Sequence, residues 1–480
     1  MRRHLTLLAA LAAFAAFAAV PGAPVRADSA ERDVKRVDDA LQERIDDAVV
    51  RGAKALAAHQ HPDGYFRFGG DALHASRLAL HQGQTALALL ALIHSGTRTD
   101  DPVVERGVAW LLRSGRTPGW NNYHGWTYAN GLVIWLFARV DAKLYAPEIR
   151  ALAARLAHGA RSDGTWGYYA GRISGTALTD TANMSTTQYA VLGLWEAHRA
   201  GVKLPRRTWE RLVAALEAGQ ARNGGWAYTP PRGATTFTST AIGVASLVVA
   251  RTALATETDA EIRAAPSVRR GLAFLADRWS EVKSPRWTVL DTYALYAAER
   301  AGVIAGLDRF GAVDWYAEGA RILVEKQNAD GTWGSATENR YPASASTSLA
   351  LLFLTRATRP VATPTPEALP EGTATERPRV DPEAARKLPD DVFAGLVDEQ
   401  LGRIAAGRHR VEALENLESL SPRVEPVLVD RLTAPSRAIR RAAITVLRAM
   451  HGTTHGYDVD GPESERAAAI EAWRTALASD

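Results

Sequence analysis

Two isolated carboxylates stand where acid chemistry could be done. They are Asp180 in Thr179-Asp180-Thr181-Ala182 and Asp291 in Leu290-Asp291-Thr292-Tyr293, each at or just before an apolar helix signal. A carboxyl group kept protonated by burial is a proton donor, whereas a helix N-terminus favours the ionised form. Asn183, Gln188 and Tyr189 follow the first carboxylate, and Tyr293 and Tyr296 follow the second. Polar groups converging over an apolar cavity make a binding pocket, so Asp180 and Asp291 are the candidate catalytic residues and the other five the candidate ligand contacts. The same groups have a plainer use, because Asp, Asn, Ser and Thr also satisfy orphan backbone N–H groups at helix starts and in loops. Metal chemistry has less to work with. His59, His61, Asp63, His74 and His81 crowd one region, but His59 and His61 sit two apart at a helix end and Asp63 has a turn to make, so solvated histidines are expected and no metal.

The elements that would position these residues form a repeat. Three turns read Gln60-His-Pro-Asp63-Gly64-Tyr-Phe66, Gln220-Ala-Arg-Asn223-Gly224-Gly-Trp226 and Gln327-Asn-Ala-Asp330-Gly331-Thr-Trp333. Three weaker copies without the Gln end on Trp120, Trp166 and Trp287, and the six aromatics are spaced 46 to 61 residues apart, one helical hairpin plus loops. Before the turns lie amphipathic helices, as in Trp209, Leu212, Val213 and Leu216 at i, i+3, i+4 and i+7 with Glu210, Arg211 and Glu217 opposite. After them come helices apolar nearly all round, such as Tyr189 to Trp195, Thr240 to Leu247 and Leu349 to Leu354, which need cover on both sides. Thr85, Thr187, Thr240 and Thr292 are expected to cap these inner helices, and Gly201 and Gly302 to end two of them. Six outer and inner pairs close most simply into an α/α toroid with a central cavity, the competing shape being an open solenoid.

In its recurring Gln-to-Trp turn, residues 45 to 358 resemble the superfamily of squalene and oxidosqualene cyclases and protein prenyltransferase β-subunits. The resemblance implies an all-α toroid of six helix pairs. It also implies structural roles for Gln60, Gln220, Gln327, Trp166, Trp226 and Trp333, stacking and hydrogen-bonding between neighbouring outer helices. Asp180 to Tyr189, Tyr293 to Arg300 and Asp314-Trp315-Tyr316 are similar to uncharacterised exported bacterial members, which lend no activity. The catalytic motifs of characterised members are missing: the chain has no Asp-x-Asp-Asp cluster, and with zero cysteines it has neither the zinc ligand of the prenyltransferases nor a thioester.

The ends suggest where the molecule works. Met1-Arg2-Arg3-His4, the apolar run Leu5 to Val20 and Val25-Arg26-Ala27 read as a signal peptide over residues 1–27, cleaved after Ala27 and too short for a comfortable membrane span. An exported protein, periplasmic or secreted and without a transmembrane segment, is expected. The formal charge of +4 includes Arg2, Arg3 and Arg26, so the mature chain is near neutral and offers no basic stripe for nucleic acid. After the toroid (28–358), prolines from Pro360 to Pro389 mark a linker over 359–392. Helix signals at Val411 to Leu420, Val424 to Leu432, Ser436 to Met450 and Glu463 to Leu477 follow, and the middle pair resembles a HEAT repeat, a small helical segment over 393–480 able to bind protein or pack back on the toroid.

Three function classes follow. The first is a toroid that takes an apolar or protein ligand in or at the mouth of its cavity, without cofactor and without proton-initiated cyclisation. The second is a terpenoid cyclase with Asp180 or Asp291 as acid and Tyr189, Trp195, Tyr293 and Tyr296 as cation–π partners of carbocations. The third is a glycan-active α/α barrel, which needs two facing carboxylates about 5 to 9.5 Å apart.

Overall fold

The computed structural model describes residues 37–68, 78–114, 126–168, 181–283, 288–334, 342–358, 380–405, 410–451 and 453–479. The signal segment, Asp180, His74, Trp120, Trp287 and most of the proline linker lie outside them. Residues 1–42 and 43–480 separate into two units; the described part of the first, 37–42, opens a helix with the Asp38 carboxylate accepting from the Leu41 N–H at 2.9 Å.

The chain alternates two kinds of helix. The outer set is α1 (Asp39–Ala58), α3 (Pro102–Ser114), α5 (Ala146–His158), α7 (Arg206–Gly219), α10 (Pro266–Asp277) and α12 (Trp315–Lys326). The inner set is α2 (Leu78–His94), α4 (Trp126–Asp141), α6 (Met184–Arg199), α8 (Phe237–Leu254), α11 (Val289–Ala305) and α13 (Ala343–Leu354), with the short α9 (Asp259–Ala264) between α8 and α10. Inner helices pack in the order α2, α4, α6, α8, α11, α13 and back to α2, so the ring closes. Closure buries both faces of helices whose apolar residues leave no polar side to turn to water. Among the described residues α8 is long and apolar enough to cross a membrane, a property explained here by its burial between α6, α7, α10 and α11.

The repeated turn is the joint between modules. Gln60 Nε2 donates to the carbonyls of Gly64 and Val103, Gln220 Nε2 to Gly224 and Ser267, and Gln327 Nε2 to Gly331 and Ala48, all within 2.7 to 3.0 Å. One amide thus closes its own turn and grips the next outer helix. Its oxygen accepts from an arginine of that helix: Arg106, Arg270 and Arg51 in turn. Gly64, Gly224 and Gly331 have φ of +104°, +88° and +87°, and a Cβ on any of them would lie 2.3 to 2.7 Å from the backbone oxygen of the same arginine. Only glycine fits both the left-handed backbone and the approach. Trp166, Trp226 and Trp333 are fully buried, and each indole N–H donates at 2.8 Å to the carbonyl ten residues earlier.

Two expectations about helix ends need correction. Thr85, Thr187 and Thr240 lie inside their helices, where the hydroxyls accept the backbone N–H of Phe66, Trp166 and Trp226 at 2.9 to 3.2 Å. They pin the turn to the inner helix. The caps are Asn183, Thr236 and Thr288 instead, so Thr292 lies within α11, and that helix runs through Gly302 to end at Gly306. Gly302 is a packing position, since a Cβ there would lie 2.4 Å from the Trp315 ring. Small hairpins interrupt the helical pattern: β1 (Trp226–Thr229) pairs with β2 (Arg232–Thr236), and β3 (Arg309–Phe310) with β4 (Val313–Asp314).

The C-terminal helices are α14 (Pro382–Ala385), α15 (Asp390–Ala405), α16 (Arg410–Glu418), α17 (Val424–Arg431), α18 (Arg437–His451) and α19 (Glu463–Ser479). They enclose their own core of Phe393, Val397, Leu401, Leu428, Leu447 and Trp473. Val380, Ala385 and Leu388 pack on it, so the folded part starts earlier than the prolines indicate. The amphipathic α15, not expected from the sequence, is held by Arg423, which donates to Leu388 O at 2.6 Å and lies 4.2 Å over the Phe393 ring.

Candidate functional site

Four of the residues expected to contact a ligand meet inside the ring, around an arginine that was not among them. Tyr293, Tyr296 and Arg300 occupy one face of α11 at i, i+3 and i+7. Arg300 is 1% exposed, and its guanidinium carbon lies 3.9 Å from the Tyr296 ring centre and 5.6 Å from that of Tyr189 on α6. It donates to Gln188 Oε1, whose amide nitrogen donates in turn to the Tyr293 hydroxyl. Tyr293 also shares a 2.6 Å hydrogen bond with Ser185. Helices α6 and α11 flank α8 in the ring, so this network of side chains crosses its inside.

Local sequence sets the near wall. A Cβ on Gly193 would lie 2.6 Å from Gly131 Cα, and one on Gly131 would lie 2.0 Å from the Tyr189 carbonyl, so two glycines let α4 and α6 approach. That approach puts the Tyr128 ring 5.0 Å from Tyr189, with Tyr168 at 6.0 Å from Tyr128 and a 2.8 Å hydrogen bond from Tyr168 to Tyr228. Tyr128, Tyr168 and Tyr293 are partly exposed and Tyr228 is 45% exposed, whereas Tyr189 and Tyr296 are buried. The result is a tyrosine surface at the end of the ring where the inner helices begin, backed by the buried arginine.

Burial keeps the phenols of Tyr128, Tyr189, Tyr293 and Tyr296 neutral. Burial pushes the hydroxyls of Tyr128 and Tyr293 well above the ordinary tyrosine range, and those of Tyr189 and Tyr296 upward too. Burial works against the Arg300 charge, but Tyr296, Tyr189, Tyr293 and Glu299 around it outweigh that and raise its affinity for the proton. Its Nε and Nη1 hydrogens, the Tyr296 hydroxyl and the ring faces meet without conventional acceptors. Glu299, fully buried, turns instead to Thr358, accepting from its N–H at 3.0 Å and its hydroxyl at 2.6 Å. Burial lifts that carboxyl to about 7, against the hydrogen bonds from Thr358 and the charges of Arg300 and Arg356.

The remaining candidates fall elsewhere. Asn183 caps α6, its Oδ1 accepting from Thr186 N at 2.9 Å. Asp291 completes a capping box on α11, accepting from the Thr288 N–H at 2.7 Å and hydroxyl at 2.9 Å. Asp180 lies outside the described residues. Of the histidines, His61 stacks on Tyr65 with ring centres 4.4 Å apart, and His81 Nδ1 accepts from the Phe68 N–H at 3.0 Å. The signal for Arg300 is in the sequence, an arginine seven residues after Tyr293 in a largely apolar helix, but two residues before Gly302 it reads as the polar end of that helix.

No family model matches the chain, and no curated protein matches it. Solved structures do, at low identity. The type II terpene cyclase MstE from Scytonema, as a variant in complex with geranylgeranyl dihydroxybenzoate, is 12% identical with a TM-score of 0.45, covering 66% of this chain and 98% of that one. Another variant, in complex with merosterolic acid A, is 12% identical with a TM-score of 0.44 over 67% of this chain and 100% of that one. The apo enzyme is 12% identical with a TM-score of 0.42 over 66% and 98%. A likeness at this level transfers neither a substrate nor a residue's role.

Proposed function

We propose that this protein is an exported toroid that binds an apolar ligand at the mouth of its ring, on the surface of Tyr128, Tyr168, Tyr228 and Tyr293, and performs no proton-initiated cyclisation. The observation that carries the reading is Arg300, stacked 3.9 Å from the Tyr296 ring centre inside the ring. A carbocation in the ring would need aromatic faces to stabilise it. Those of Tyr296 and Tyr189 are already taken by a fixed cation, and a second cation on the far face of such a ring, about 8 Å from it, would be raised by roughly 2 kcal/mol. Asp291 is the capping partner of Thr288 at the start of α11, accepting from its N–H and its hydroxyl, a structural use rather than a proton donor's. Gln188 and Tyr293 are the polar contacts of the ligand, and Tyr189 and Tyr296 form the wall behind them. The C-terminal helices, HEAT-like in sequence, serve as a docking element for a protein partner.

The test is mass spectrometry of small molecules released from the protein recovered from the periplasm or medium. The wild type should carry an apolar molecule that a Tyr293→Ala variant loses, and its N-terminus should be Asp28. Two empty preparations would remove the ligand reading. Conversion of an isoprenoid polyene such as squalene to a cyclic product by the wild type, abolished in Asp180→Asn, would favour the cyclase.

A further inference from the structure

A cavity of 580 Å³ lies away from the tyrosine surface, between α3 of the ring and helices α16 and α18 of the C-terminal part. Small-molecule sites favour such seams and span about 300–1,000 Å³. Its walls come from distant parts of the chain, held together by Arg441 on Asp100 at 2.6 Å and Arg448 on Glu105 at 2.9 Å. Trp110, Leu112, Val140, Tyr145 and Leu414 give it a long apolar side.

The cavity is lined by three acids, Asp63, Glu105 and Glu418, and three arginines, Arg106, Arg113 and Arg448. Arg448 is matched by Glu105, but Arg106 donates to the neutral amide of Gln60 at 2.7 Å. Burial lowers the hold of Arg106 on its proton, and the nearby charge of Arg448 lowers it further, against the pull of Asp101. Burial pushes the Glu418 carboxyl in the same wall up, against the pull of Arg113. Arg270 and Arg51 make the same contact with the turn glutamine at exposed junctions, whereas Arg106 is part-buried.

We infer that this cavity binds an elongated apolar molecule with one carboxylate head, the head on Arg106 beside Arg448 and the chain along Trp110, Tyr145 and Leu414. The site is independent of the tyrosine surface and of what that surface binds. The experiment is titration calorimetry of the full chain with dodecanoate, dodecanol and dodecyltrimethylammonium. Dodecanoate should bind and the other two should bind roughly tenfold more weakly or worse, the scale of a charge-assisted hydrogen bond. Arg106→Gln should weaken dodecanoate by about tenfold while Arg270→Gln, the same change at an uncovered junction, leaves it unchanged. Leu414→Trp should fill the cavity and abolish binding with the circular dichroism spectrum retained. Equal binding of dodecanol, equal behaviour of the two arginine variants, or full binding by a folded Leu414→Trp variant would each overturn the assignment. If Leu414→Trp fails to fold, the paired arginine variants decide.

Discussion

Gln327 Nε2 donates to the carbonyl of Ala48 across 2.8 Å, joining the last turn of the ring to its first helix. The contact repeats what Gln60 does to Val103 and Gln220 to Ser267, so closure uses the same joint as every other complete copy of the turn. Replacing Gln327 by Leu leaves the carbonyls of Ala48 and Gly331 without their donor, at a cost of about 1–3 kcal/mol. The change should appear as a lower denaturant midpoint at unchanged slope; an unaltered midpoint would mean that the joint does not hold the ring.

The indole of Trp333 fills the gap between modules and donates to Leu323 O at 2.8 Å. Its counterpart in the first copy is Phe66, buried without that bond. Trp333→Phe should therefore cost about 1–3 kcal/mol, chiefly from the unpaired carbonyl, and Trp333→Ala about 3–5 kcal/mol from the added cavity. Chemical denaturation of both variants checks the order, and equal losses would contradict it.

Glu299 makes stability depend on pH. Its carboxyl is held at about 7 in the fold against an ordinary 4.5, so the folded state favours the protonated form. The contribution is fully present below about pH 4.5 and is lost as pH rises through about 7, a difference of about 3 kcal/mol. Glu299→Gln should flatten the fall in melting temperature between pH 5 and 8 and raise the melting temperature at pH 8 (roughly that window by linkage). A variant as pH-dependent as the wild type would assign the effect to other groups.

Arg448 and Glu105 are both largely buried and 2.9 Å apart, unlike most of the ion pairs on this surface. Removing either partner strands a charge, so each single substitution to Ala should cost more than the double one, with a coupling of about 1–3 kcal/mol in a double-mutant cycle. Additive losses would show that the pair does not hold the C-terminal helices to α3.

The sequence by itself determined the modules. Turn glycines, the Gln and Trp positions and the contrast between one-sided and all-round apolar helices are local patterns, written in spacing and visible without coordinates. α15 is not legible in the sequence because it stands close behind a proline-rich stretch, where composition masks a helical period. Tertiary structure decided everything that depends on which modules face one another. The return of Gln327 to Ala48, the crossing of the ring by Arg300 and Gln188, and the use of Thr85, Thr187 and Thr240 as acceptors for a neighbouring turn join residues that no periodicity links. A hydroxyl or guanidinium on a helix can cap, pair or plug with equal chemistry, and only the closed ring, by excluding water from its inside, selects the partner.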